Sequence, residues 1–192
     1  MRGVSIFLAD GFEITEALTT VNMLRRGGVD VRIVSIYDDR IVTSSNSIPV
    51  VADSSFAEFK ASTSFAGSDM EDVMIFPGGM PGSLNLADCT KLMDLMQKHY
   101  AQGGTVAAIC AAPSVVLSHL PELKGKHMCC YEGFEQALLD KGAVVTKDEG
   151  VVTDGQIISS RGAGHAVEFG LAILARVKDQ ATADHVRKSI ML

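Results

Sequence analysis

Positive charge, long hydrophobic runs and paired cysteines are all scarce in this sequence, and each shortage closes off a class of function. Among 192 residues, 17 Lys and Arg stand against 23 Asp and Glu, for a formal net charge of −6. With no basic cluster, that balance argues against nucleic acid and against an anionic membrane surface as partners. No apolar run approaches the roughly 18 residues needed to cross a bilayer. A short apolar stretch opens the chain, but Asp10 and Glu13 follow at once and no small-x-small cleavage site appears. MRGVSIFLADGFE is therefore expected to be a first strand and not a signal peptide. The four cysteines, at 89, 110, 129 and 130, make no C-x-x-C pair, which suits a reduced, cytoplasmic protein. No zinc-type spacing, EF-hand or P-loop is present, so neither a metal nor a cofactor is expected. No repeat, linker or low-complexity block divides the chain, and its length predicts one domain over 1–192.

What is present is alternation of two kinds of pattern. Residues 3–9 form a continuous apolar strand, and Ile14, Leu18, Val21 and Leu24 then recur at helical spacing until Gly27-Gly28. A second strand at 29–36 completes a strand–helix–strand unit typical of parallel sheets. Residues 41–45 and 48–53 read as a hairpin, and 54–70 as a Ser/Ala-rich loop with one short helix. A buried strand from 73 runs into the turn FPGGMPG, with a helix expected from about 88 to 100. Beyond it lie a strand at 105–109, a helix from about 111, a short strand at 127–131 and a helix at 134–142. VVTKD and VVTDGQIISS read as a hairpin or two adjacent strands. Helices from about 165 to 177 and 181 to 191 close the chain. The pattern predicts an α/β fold, a three-layer α/β/α sandwich around a mostly parallel sheet.

The chain is organised around TVAAICAAPSVVLSH (105–119), a buried strand turning sharply at Cys110. Ala108 and Ala112 flank that cysteine two positions away, meeting the steric demand of a strand-to-helix elbow that glycine meets in G-x-S-x-G. A thiol there lies at a helix start, which favours the thiolate; it reads equally well as a small buried hydrophobe. Ligands in open α/β sheets sit beyond the carboxyl ends of the strands. There the Gly78-Gly79 turn offers backbone N–H groups for an oxyanion site with the Ala111 N–H, or is simply a tight turn. Glu13 and Glu16 occupy the first turn of a helix, where carboxylates complement the dipole anyway. If Glu16 points toward Cys110, two like charges cannot both form cheaply, and one proton serves both groups. Gly162-Ala163-Gly164 lacks the rest of a dinucleotide fingerprint. His99, His119, His127, His165 and His185 outline no triad, although His165 lies near the sheet edge.

These residues resemble the ThiJ/PfpI superfamily, in the branch containing the parkinsonism-associated protein deglycase and cofactor-independent glyoxalases. The likeness spans nearly the whole length and rests on LADGFEITEALTTVNMLRRGG (8–28), FPGGMPGSLNL (76–86), VAAICAAPSVVL (106–117) and SSRGAGHAVEFGLAIL (159–174). It implies a flavodoxin-like fold with a nucleophile-elbow cysteine, and a homodimer. Cys110 then matches the reactive, oxidisable cysteine, Glu16 its protonated partner, and Gly79 and Ala111 the oxyanion N–H donors; Glu13 falls on a neighbouring acidic position. The implied activity converts methylglyoxal to lactate without glutathione, with a deglycase activity and oxidative-stress or chaperone-like roles beside it. Two departures stand out. Ala111 replaces the histidine that follows the cysteine in the protease-like branch, which disfavours peptidase chemistry. Tyr131 stands where the deglycase branch often has a histidine, leaving Tyr131 or His165 as accessory candidates. Cys130 either pairs with an oxidised Cys110 or is a buried strand cysteine. The expectation is thus an enzyme for small reactive aldehydes, with a redox sensor and a cysteine amidase as alternatives.

Overall fold

The computed structural model describes residues 3–62 and 71–192. In chain order, β1 (Val4–Leu8), α1 (Ile14–Arg26) and β2 (Val31–Ser35) form the opening unit. The hairpin β3 (Ile41–Thr43) and β4 (Pro49–Val51), β5 (Ser54–Ser55) and α2 (Phe56–Ser62) follow. Next come β6 (Val73–Phe76), α3 (Gly82–Asp88), α4 (Thr90–Ala101), β7 (Thr105–Ile109) and the short α5 (Ala112–Val115). The last third holds β8 (His127–Met128), α6 (Gln136–Asp140), β9 (Val144–Val145), β10 (Val151–Asp154), β11 (Ile157–Ser160), α7 (Ala166–Val177) and α8 (Gln180–Ser189).

The main sheet runs β10-β11-β7-β6-β1-β2-β5, parallel throughout except for the β10–β11 hairpin. Its five central strands, β2-β1-β6-β7-β11, have the doubly wound order 2-1-3-4-5 of flavodoxin-like folds, whose ligand crevice opens where the order reverses. Here that reversal falls between β1 and β6. Every residue of β1, β6 and β7 is buried, because helices cover both faces. On one face α1, α7 and α8 contribute Leu24, Phe169, Leu174 and Val186 to the core. On the other, Phe7 packs edge-on against Phe56 and Phe59 and stacks on Phe76, with Leu92, Met96, Leu117 and Leu138 around them. Among the described residues no helix is long and apolar enough to cross a membrane.

Four local expectations need correction. The stretch after FPGGMPG is a helix, α3, that breaks at Cys89 before α4 begins. Gly82 read as part of the turn, yet it opens this helix, and a Cβ there would meet the Phe12 nitrogen at 2.5 Å. The strand expected at 127–131 lasts two residues, and β8 pairs with β9 in a separate two-stranded parallel sheet. The elbow leads into a single α-helical turn followed by a 3-10 turn at Leu117–His119, so little macrodipole is available there. Within 54–70 the expected short helix is α2 at 56–62, but residues 54–55 are strand instead of loop, and 63–70 lie outside the described residues.

Candidate active site

At the β1 end, Glu13 adopts an extended conformation and its carboxylate accepts the Glu16 N–H at 2.6 Å, capping α1. Its own N–H donates to the Gly78 carbonyl at 2.9 Å, which ties the first turn to the β6 turn. Glutamate is not a favoured N-cap, but any side-chain oxygen at this place satisfies a free helix N–H. Truncation in Glu13→Ala is expected to cost about 1 kcal/mol in a urea titration.

Gly78 sits where no side chain fits: a Cβ would lie 2.6 Å from Cys110 Cβ, 2.7 Å from Glu16 Oε2 and 2.9 Å from the Ile109 carbonyl. That absence lets its N–H donate to Glu16 Oε2 at 2.8 Å across 62 positions of sequence. Gly79 adopts φ +90°, and a Cβ there would meet the Glu13 nitrogen at 2.4 Å.

Cys110 is held at φ +67°, a left-handed conformation that a side-chain-bearing residue enters only under constraint. Two backbone bonds supply it. The Cys110 N–H donates to the Ser160 carbonyl at 2.9 Å, and the Cys110 carbonyl accepts the Tyr131 N–H at 2.8 Å. The half-buried thiol lies against the Glu16 carboxyl, and the nearby backbone N–H groups of Ala111 and Gly79 favour a negative sulfur.

Glu16 is 1% exposed, and burial pushes its carboxyl from 4.5 up to about 7. Hydrogen bonds from Gly78 and Cys110 oppose that shift, and the Glu13 charge adds to it. Burial likewise pushes the Cys110 thiol up, to about 12, helped by the Glu16 charge and hydrogen bond and opposed by the Ala111 and Gly79 N–H groups. The thiol is therefore not simply acidified by a helix start. The pair holds two protons below about pH 7 and one above it. The N–H groups of Ala111 and Gly79 favour a negative sulfur, and that of Gly78 favours a negative carboxylate, but burial outweighs both.

The accessory candidates fall elsewhere. Glu13 is occupied in capping. Tyr131 is 52% exposed, edge-on to Phe134, and lines an open concavity of about 450 Å³ with Arg161, Gly162 and His165. Its backbone holds the elbow, but no bond joins its ring to the thiol–carboxyl pair. The His165 ring packs on Gly150, where a Cβ would meet Nδ1 at 2.4 Å. Cys130 is buried in the core of the opposite sheet face, beside Ser114, whereas Cys110 packs against the core that α1 and α7 line. The sequence reading passed over the clamp from Ser160 and Tyr131, because main-chain groups make it and leave no residue-type signature.

A doubly wound α/β fold that raises a thiol on a strained elbow over a buried carboxyl defines a class of cysteine-centred proteins. The model of the DJ-1/PfpI family matches residues 2–176, and this chain belongs to that family. It is 32% identical to protein dj-1beta of Drosophila melanogaster over 191 residues, covering 100% of this chain and 97% of that protein. It is 27% identical over 180 residues to the glutathione-independent glyoxalase DJR-1.2 of Caenorhabditis elegans, covering 94% of this chain and 90% of the relative. The crystal structure of a cysteine-to-alanine mutant of a DJ-1 superfamily protein from Salmonella typhimurium superimposes with a TM-score of 0.87 at 33% identity, covering 100% of this chain and 98% of that one.

Proposed function

We propose that this protein is a cysteine-dependent enzyme acting on small reactive aldehydes, a glutathione-independent glyoxalase that converts methylglyoxal to lactate. The observation that carries the reading is the contact of half-buried Cys110 with the buried Glu16 carboxyl, beside the backbone N–H groups of Gly79 and Ala111. The similarity to a relative named as a glyoxalase supports it.

The Cys110 sulfur adds to the aldehyde carbon, its proton passes through the Glu16 carboxylate to the new oxygen, and the Gly79 and Ala111 N–H groups hold that oxygen as its charge develops. Glu16 removes the proton from that carbon, giving an enediol, and returns it to the neighbouring carbon. The resulting lactoyl thioester takes up one water, releasing lactate and restoring the thiol. Purified protein is expected to turn methylglyoxal into lactate without added glutathione, and to stop after iodoacetamide treatment. Absence of lactate at substrate excess overturns the reading.

A second reading draws on the same donors. A half-exposed thiol faced by two N–H groups and a carboxyl proton is also placed to hold a sulfinate, as a redox sensor requires. Mass spectrometry after graded peroxide separates the two: gain of two oxygens at Cys110 with negligible aldehyde turnover favours the sensor. The amidase alternative needs a histidine base on the thiol, whereas the groups that shift the Cys110 thiol are Glu16, Ala111 and Gly79.

A homodimer is the assembly we propose. The β3–β4 hairpin exposes Ile41, Ile48 and Val51 at 53%, 48% and 70%, an apolar edge that a second copy would cover. Sedimentation equilibrium is expected to show twice the 20.4 kDa chain mass; a monomer at micromolar concentration rejects the assembly.

A further inference from the structure

The elbow is closed by a ring of hydrogen bonds that contains one side chain. Ser160 accepts the Cys110 N–H at 2.9 Å, and the Cys110 carbonyl accepts the Tyr131 N–H at 2.8 Å. Two residues back along the chain, the Cys129 N–H donates to Ser159 Oγ at 3.0 Å, and Ser159 precedes Ser160. The path Ser160–Cys110–Tyr131–Cys130–Cys129–Ser159 thus returns to its start. Both Ser159 and Cys129 are 0% exposed, so no water competes for this bond. Ser159 also belongs to β11, whose register against β7 pairs it with Ala108, two residues before the elbow.

We propose that Ser159 is a positioning residue for Cys110: its hydroxyl ties the 129–131 segment to β11, so that the Tyr131 N–H reaches the Cys110 carbonyl. The left-handed φ of Cys110 is costly for a residue with a side chain, so the elbow relaxes when its carbonyl is released. Relaxation swings Sγ away from Glu16 and from the Gly79 and Ala111 N–H groups together. Ser159 touches neither sulfur nor substrate; its effect travels through the backbone of three residues. The Cys129 thiol, which lies 3.4 Å from the Ser159 carbonyl, adds a second link that leaves the segment folded when the hydroxyl is lost.

The inference rests on Cys110 being the reactive group, and its primary test does not require aldehyde turnover. The rate of iodoacetamide alkylation at Cys110 is followed from pH 5 to 10 in the whole protein and in Ser159→Ala and Ser159→Thr. Misplacement by about an ångström costs on the order of 100-fold in a positioned reaction. Ser159→Ala is therefore expected to lose at least about tenfold in alkylation rate near pH 8, together with the step that ionisation of the adjacent Glu16 is expected to give the wild-type profile near pH 7. Ser159→Thr keeps the hydroxyl and is expected to restore both. In lactate formation, Ser159→Ala lowers kcat and leaves KM within about twofold. An unchanged pH profile in Ser159→Ala, or a Ser159→Thr profile as altered as that of alanine, overturns the proposal. If Ser159→Ala fails to fold, the threonine variant still decides, because a hydroxyl that matters only for packing does not restore the pH step. Absence of lactate with a normal wild-type alkylation step would strike the glyoxalase reading and leave the positioning role standing.

Discussion

Replacing Glu16 by glutamine is expected to cut methylglyoxal turnover by about 10³-fold while making the protein more stable at neutral pH. The first effect follows from the proposed reading, in which Glu16 carries the proton beside the reacting sulfur, since general acid–base groups are worth about 10² to 10⁴. The second has its sign set by the carboxyl. Its folded value, about 7, lies above the ordinary 4.5, so the folded state holds this proton more tightly than the unfolded chain does. The stability it contributes is complete below pH 4.5 and is lost as pH rises through 7. A shift of this size corresponds to about 3 kcal/mol. Glutamine accepts the Gly78 N–H and donates to the sulfur without ever ionising. Urea titrations should therefore show wild-type stability falling between about pH 4.5 and 7 and the Glu16→Gln curve staying nearly level. Parallel curves would mean that Glu16 is not the group titrating. Cys110 adds nothing in this window, because its raised value places its own loss above pH 9.

Alanine at position 78 is expected to destabilise the fold by about 3 kcal/mol and to abolish turnover in whatever folded protein remains. The three atoms nearest the new Cβ, all within 3.0 Å, are Cys110 Cβ, Glu16 Oε2 and the Ile109 carbonyl oxygen. Two of them are fixed by the strand and elbow backbone, so rotamer change gives no relief. The carboxyl must retreat instead, which breaks its 2.8 Å bond to the Gly78 N–H and parts it from the thiol. Gly28→Ala is the matched control. Gly28 has φ +73° with nothing within 4 Å of a new Cβ, so only the local backbone cost of about 1–2 kcal/mol applies and activity persists. Equal activity in both variants would show that the crowding at Gly78 does not govern the site.

Much of the fold was legible in local pattern. Continuous apolar runs marked β1, β6 and β7 as strands buried on both faces, and the spacing of Ile14, Leu18, Val21 and Leu24 bounded α1 at its observed residues. Short elements were less legible. The helix α3 follows Pro81 and begins at a glycine, so its residues looked like a turn; Gly82 is there because Phe12 backbone lies against it. The strand expected at 127–131 is present but stops at Met128, because its partner β9 is itself two residues long and lies beyond a helix, a length that local pattern does not record.

By itself, the sequence determined the α/β class, the place of the elbow and the small residues around it, and the presence of Glu16 in the first turn of the first helix. Those features depend on neighbours a few residues apart, which periodicity and turn chemistry record. Only the tertiary structure decided that Glu16 faces Cys110, that the Gly78 N–H meets its carboxyl, and that Cys130 lies across the sheet. It alone revealed the ring that runs through Ser159. The physical reason is that desolvation, strand order and hydrogen bonds between distant segments set these properties. None of them exists until the chain has closed on itself.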